Sequence, residues 1–147
     1  MAIIRITKEF RFEMAHALLD YNGPCKNIHG HSYVLFVTLI GKTKVSPKDP
    51  DDGMVMDFGI LKKIVYDAII HQFDHSLVLN ADSPEPMLKG INSFQNVLLV
   101  PYQPTCENLL QDFANRLKMH LPVEVSLHSL KLYETASSYA EWLESDN

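Results

Sequence analysis

The chain has only two cysteines, Cys25 and Cys106, in 147 residues, too few for a disulfide framework. No apolar run approaches the roughly 20 residues that span a bilayer. The opening Met1-Ala2-Ile3-Ile4-Arg5 leads into no apolar stretch with a cleavage site, so no secretory leader is expected. The expected compartment is the reducing cytoplasm, with both cysteines as free thiols. Basic residues are few as well: 13 Lys and Arg against 18 Asp and Glu leave a net charge of -5. That excludes the broad phosphate-binding face that nucleic acid requires, while leaving room for a small anion in a local basic pocket. Repeats and low-complexity tracts are absent. Neither nucleic acid nor membrane is an expected partner.

What remains is an ordinary soluble composition, 46% hydrophobic and 21% charged, which predicts one globular domain over residues 1–147 with a core that needs no covalent staples. From Ile4 to Met14 the apolar Ile4, Ile6, Phe10, Phe12 and Met14 share one parity and the charged residues the other, the pattern of a half-buried strand. Ser32–Ile40 is β-branched and aromatic on both parities and reads as a strand covered on both faces. Residues 42–53 gather Pro, Asp and Gly and predict a loop before a short strand at Met54-Val55-Met56. Asp57 then caps a helix running from Phe58 to about Phe73, with Leu61, Ile64, Val65, Ala68 and Ile69 on one face.

Thr105 caps a second amphipathic helix that ends near His120, before Pro122. A strand over Val123–Glu134 and a short one through Tyr139–Leu143 follow. The order of elements predicts an α+β fold, an antiparallel sheet backed by two helices. Residues 81–104, rich in proline, are long for a plain connection and read as a loop insertion, either a lid or a carrier of its own edge strand.

Chemistry concentrates in C-K-N-I-H-G-H-S-Y, residues 25–33. His29 and His31, two apart where a strand begins, point the same way, and a hairpin return brings His16, at the end of the first strand, beside them. Three converging neutral imidazoles are the ligand set of a catalytic zinc site with an open fourth position. Cys25 is either a fourth ligand, which closes the site and makes it structural, or a reactive thiol beside the metal. Asp74-His75 is either a capped turn or an acid–imidazole pair for proton transfer. Glu134, at the end of L-K-L-Y-E-T, is either solvated or an acceptor of two hydrogen bonds from a guanidine-like edge.

F-R-F-E-M-A-H, C-K-N-I-H-G-H-S-Y, G-M-V-M-D-F, F-D-H, P-T-C-E-N-L and L-Y-E-T occur in this order. Together they resemble the 6-pyruvoyl-tetrahydropterin synthase and 6-carboxy-tetrahydropterin synthase family over nearly the whole chain except about residues 81–103. The resemblance implies a tunnelling fold: a four-stranded antiparallel sheet with two helices on one face, sheets joined between subunits into a β-barrel, and active sites at subunit interfaces of a homo-oligomer, a hexamer built as a dimer of trimers. It implies that His16, His29 and His31 bind Zn2+, that Cys25 is the catalytic base, and that Asp74 and His75 complete the proton relay. Glu134 matches the carboxylate that anchors the aminopyrimidine edge of a pterin, and Thr105 and Glu107 match positions near that pocket.

The implied substrate is 7,8-dihydroneopterin triphosphate. Three residues separate Cys25 from His29, which resembles the 6-carboxy branch, whose reaction feeds queuosine and deazapurine synthesis and releases acetaldehyde; the animal 6-pyruvoyl branch has a longer spacing. A non-catalytic zinc- or pterin-binding module, with Cys25 as fourth ligand, is the alternative of another class. Two departures stand out: Met14 where the family commonly has Ala, and Ser76 after Asp74-His75 where the carboxy branch often has a second histidine. The length of 81–104 and the presence of Lys89 lead to the expectation that this segment lines the triphosphate side of the pocket.

Overall fold

A computed structural model describes residues 2–91 and 96–147. Its strands are β1 (Ile3–His16), β2 (His29–Lys42), β3 (Ser76–Asn80), β4 (Val97–Val100), β5 (Val125–Thr135) and β6 (Ser138–Leu143). They form one six-stranded sheet in the order β4-β3-β1-β2-β5-β6. The helical elements are α1 (Phe58–Val65), a π-helical turn (Tyr66–Ile70), α2 (His71–Phe73), α3 (Glu85–Ile91) and α4 (Cys106–Lys118).

β1 and β2 form a long antiparallel hairpin in which His16 faces His29 and Met14 faces His31. Period-two alternation puts Phe10, Phe12, Met14 and His16 of β1, and Tyr33, Leu35, Val37 and Leu39 of β2, on a single buried face. The long helical segment and α4 cover that face with Leu61, Val65, Ile69 and Phe73, and with Leu109, Phe113 and Leu117. The Phe113 ring packs edge-on to Phe12 at 6.1 Å and to Phe73 at 5.0 Å. Burying such a side chain contributes about 1.5–3 kcal/mol. Both predicted caps form: Asp57 Oδ1 accepts from the Gly59 amide at 2.6 Å, and Thr105 Oγ1 from the Asn108 amide at 3.2 Å.

The expected four-stranded antiparallel sheet is corrected to six strands of mixed direction. β3 lies parallel to the end of β1, pairing Met14 with Ser76 and His16 with Val78, and β4 lies parallel to β3. The insertion over 81–104 therefore supplies α3 and β4, which bury a second small apolar group, Ala17, Leu77 and Leu79, under Leu88, Ile91 and Val97; residues 92–95 of it lie outside the described residues. Met54-Val55-Met56 is not a strand. Two bonds, Lys44 N–H to the Met54 carbonyl and Gly53 N–H to the Lys44 carbonyl, close the loop there, and Val55 and Met56 enter the core from irregular backbone.

The helix over Phe58–Phe73 is interrupted by the π turn. Within that turn Ala68, Ile69 and Ile70 are all buried. The outer face of β2 is only partly covered within one chain, because both helical layers pack on the other side.

Candidate active site

The core face of the hairpin changes character at the end joined by the 17–28 connection. Beyond Met14 on β1 and Tyr33 on β2, the positions that would hold core side chains hold His16, His31 and His29, and their rings stack edge to face with centroids 4.6, 5.2 and 4.9 Å apart. One ring nitrogen from each lies within 4.8 Å of the others. Among the described residues this group holds the three histidines and no cysteine.

Hydrogen bonding sets the state of these rings. His16 Nδ1 lies 2.7 Å from the Pro104 carbonyl, and His29 Nδ1 lies 2.7 Å from the Asn27 carbonyl. A carbonyl only accepts, so both Nδ1 atoms carry the proton and both Nε2 atoms present lone pairs. Those Nε2 atoms face each other at 3.0 Å, an arrangement that repels unless a cation shares them. His31 Nε2 is buried and has no hydrogen-bond partner among the described residues. Burial lowers the pKa of His16 and of His31, against the opposing pull of Glu134, and so favours the neutral, metal-ligating form. Zinc–nitrogen bonds of about 2.0–2.1 Å at tetrahedral angles need donors roughly 3.4 Å apart, so the donor set fits such an ion with little movement.

Two cavities open beside the cluster. One, of about 200 Å³, is lined by His16, Cys25, Thr105, Glu107, Glu134 and Tyr139, among others. Cys25 reaches it from a short 3-10 turn, Pro24–Lys26, in the β1–β2 connection and is half-buried. Thr105 and Glu107 reach it from the start of α4. Glu134, near the end of β5, places Oε1 3.5 Å from His16 Nε2 and 3.7 Å from His31 Nε2. Tyr33 forms the floor beneath His16 and His31, with ring centroids 6.4 and 5.6 Å away. Burial first, and then the Glu134 charge, pushes its phenol far up, so it stays neutral.

The other cavity, of about 470 Å³, is lined by Glu13, His31, His75 and Asn96 with their neighbours. His75 has a left-handed backbone, φ 59°, uncommon for a side chain of this size. The consequence is local: its Nδ1 turns back to lie 3.0 Å from Oδ1 of Asp74, a contact that adjacent residues in ordinary extended or helical backbone seldom make. The same Oδ1 accepts the Glu13 amide at 2.9 Å, and the Glu13 carbonyl accepts the His75 amide at 2.6 Å, which ties the pair to β1.

Within one chain, then, Cys25, Thr105, Glu107 and Glu134 gather on the His16 side and His75 on the His31 side. Lys89 does not line either cavity; it pairs with Glu85 at 3.0 Å on the exposed face of α3, and among the described residues of the 81–104 segment Asn96 lines the larger cavity. Sequence reasoning missed Tyr33, Asn27, Pro104 and Glu13. Tyr33 was legible as the next residue of the same parity after His29 and His31, whereas the two carbonyls carry no side-chain signal.

The family model described as 6-pyruvoyl tetrahydropterin synthase matches residues 5–145. A Haemophilus influenzae protein named 6-carboxy-5,6,7,8-tetrahydropterin synthase is 34% identical, covering 97% of this chain and 100% of its own length. A Pongo abelii protein named 6-pyruvoyl tetrahydrobiopterin synthase is 32% identical, covering 89% of this chain and 85% of its own length. The solved structure of Caenorhabditis elegans 6-pyruvoyl tetrahydropterin synthase superposes with a TM-score of 0.69 at 25% identity, covering 97% of this chain and 96% of that one. The chain belongs to the 6-pyruvoyl tetrahydropterin synthase family and is a lyase-type enzyme. No helix among the described residues is long and apolar enough to cross a membrane.

Proposed function

We propose that the protein converts 7,8-dihydroneopterin triphosphate to 6-carboxy-5,6,7,8-tetrahydropterin, releasing acetaldehyde and triphosphate, in a zinc-dependent reaction in the cytoplasm. The observation that carries this reading is the pair of facing lone pairs on His16 and His29 beside a cavity that a thiol and a carboxylate share. His16, His29 and His31 would hold the zinc, which supplies a Lewis acid for the side-chain oxygens of the substrate.

The chain's own groups do the rest. Glu134 accepts the N–H groups of the aminopyrimidine edge, a charge-assisted pair of bonds that fixes the ring. Thr105 and Glu107 border the same cavity. Cys25 Sγ takes a proton from a side-chain carbon, and His75, oriented by Asp74, returns one. The buried Tyr33 closes the floor against water.

The 6-carboxy product is favoured over the 6-pyruvoyl one by the short Cys25–His29 spacing and by the names of bacterial relatives such as that from Haemophilus influenzae. Cys25 and His75 open on different cavities of one chain, which supports a site completed by a neighbouring subunit. The sheet ends in β4 and β6, edges able to pair with further strands and so to build the barrel of a homo-oligomer, a hexamer of two trimers, from single domains spanning 1–147. Incubating zinc-loaded protein with 7,8-dihydroneopterin triphosphate tests the reading: acetaldehyde with 6-carboxytetrahydropterin supports it, a pyruvoyl product selects the other branch, and no turnover leaves a binding module.

A further inference from the structure

Cys25 sits in residues 17–28, a connection with little regular structure, and proton transfer needs its sulfur held to within a fraction of an ångström. Inside the connection, the Leu18 amide donates to the Cys25 carbonyl at 2.9 Å, so the thiol's backbone is fixed to Leu18. Leu19, the next residue, is gripped from outside. Its N–H donates to Gln103 Oε1 at 2.9 Å, and Gln103 Nε2 donates to its carbonyl at 2.7 Å. One half-buried side-chain amide thus reproduces the two-bond pairing that a neighbouring strand would make.

Gln103 is itself immobilised. Its carbonyl accepts the Thr105 amide at 2.8 Å and Asn108 Nδ2 at 3.0 Å, which anchors it to the start of α4. The next residue, Pro104, supplies the carbonyl that orients His16.

We propose that Gln103 is a positioning residue that sets Cys25 against the imidazole cluster by clamping Leu19 to the N-terminal end of α4. The proposal rests on the reading of Cys25 as the group that moves a proton. It explains why one short stretch, 103–105, touches a metal-ligand candidate, the thiol's loop and the helix start that borders the substrate cavity: the three are indexed to a common rigid element.

Gln103→Met keeps length and volume while removing both the donor and the acceptor. In the zinc-loaded full-length protein, kcat is expected to fall about 10- to 100-fold, the usual cost of a displacement near 1 Å, with KM and zinc content unchanged. Amide hydrogen exchange in residues 17–28 is expected to quicken while that of Val34–Leu39 stays as in the wild type. Gln103→Glu, which keeps an acceptor but turns a second acceptor toward the Leu19 carbonyl, carries the same expectation should the first variant fail to fold.

Tyr102→Phe, which cuts the adjacent phenol–Asp112 bond of 2.6 Å, is the comparison for mere destabilisation: a lower Tm with kcat unchanged. Wild-type kcat in the Gln103 variants overturns the proposal, as does exchange that quickens throughout the sheet. A wild-type protein that turns over no pterin triphosphate would strike the functional reading instead, and the exchange data would still decide whether the clamp exists.

Discussion

Removing His31 should weaken zinc binding and removing Cys25 should leave it unchanged if the ligand set is the one the geometry defines. The three imidazole donors lie within 4.8 Å of one another without a sulfur among them, so Cys25→Ala should leave the affinity as it is. A ligand that binds only the folded state stabilises it by about 2.7 kcal/mol when present at 100 times its Kd. For a chain of this size that raises Tm by roughly 5–11 °C.

Wild type and Cys25→Ala should both show this difference between zinc-loaded and chelator-treated samples. In His31→Ala the loss of a buried donor should weaken binding at least about 100-fold, more than the loss of a supporting contact around a metal. At the same zinc concentration the site is then half filled, the gain falls to about 0.4 kcal/mol, and Tm rises by roughly 1–2 °C. Differential scanning calorimetry, with and without chelator for each variant, reads the effect independently of any change in the metal-free baseline. A Cys25→Ala protein that loses its zinc-dependent shift would make the thiol a ligand and refute the assignment of the site as open.

Burial lowers the pKa of His16 and of His31, so below about 6.5, the ordinary histidine value, the unfolded chain binds more protons than the native one. Metal-free protein should lose stability as pH falls from about 7 toward 5, by an amount reduced in His16→Gln; Tm against pH in chelator checks it, and identical profiles for the two would count against it. Burial pushes the Cys106 thiol up to about 12, so iodoacetamide at pH 8 should modify Cys25 and spare Cys106, as peptide mass spectrometry will report. Phe113→Ala, emptying the contact of α4 with Phe12 and Phe73, should cost about 3–5 kcal/mol in urea unfolding; a loss below about 1 kcal/mol would mean that the core closes over the gap.

Where the sequence was legible, a single period governed a long segment. The alternation in Ile4–Met14 gave β1, its buried face and the position of His16 at its end. The 3.6-residue spacing gave the two helical segments that cover the sheet, because one apolar stripe had to meet that face, but not α3 within 81–104. β4 was one of the two readings of residues 81–104, the edge strand they carry, but β3 and the parallel direction of both escaped because Leu77-Val78-Leu79 and Val97–Val100 are short apolar runs without alternation, and runs of this kind carry no sign of parallel pairing with a partner distant in the chain. For Asp74-His75 the sequence left two readings, a capped turn or an acid–imidazole pair, because the contact depends on a left-handed backbone at His75 that a non-glycine residue does not announce.

Because the three histidines continue the same inward parity as Phe12, Met14 and Tyr33, the hairpin's hydrogen-bond register and the metal site are one specification. A slip of β1 against β2 by one residue would turn one strand's histidines to the opposite face of the sheet from the other's. A slip by two would preserve the apolar core pattern but move His16 away from its place opposite His29. Hydrophobic burial alone discriminates weakly against that second error; a bound ion, needing all three donors at once, discriminates strongly. An ion held by these three histidines would therefore double as a proofreading step, rewarding the one alignment of two long strands from which the site can be built.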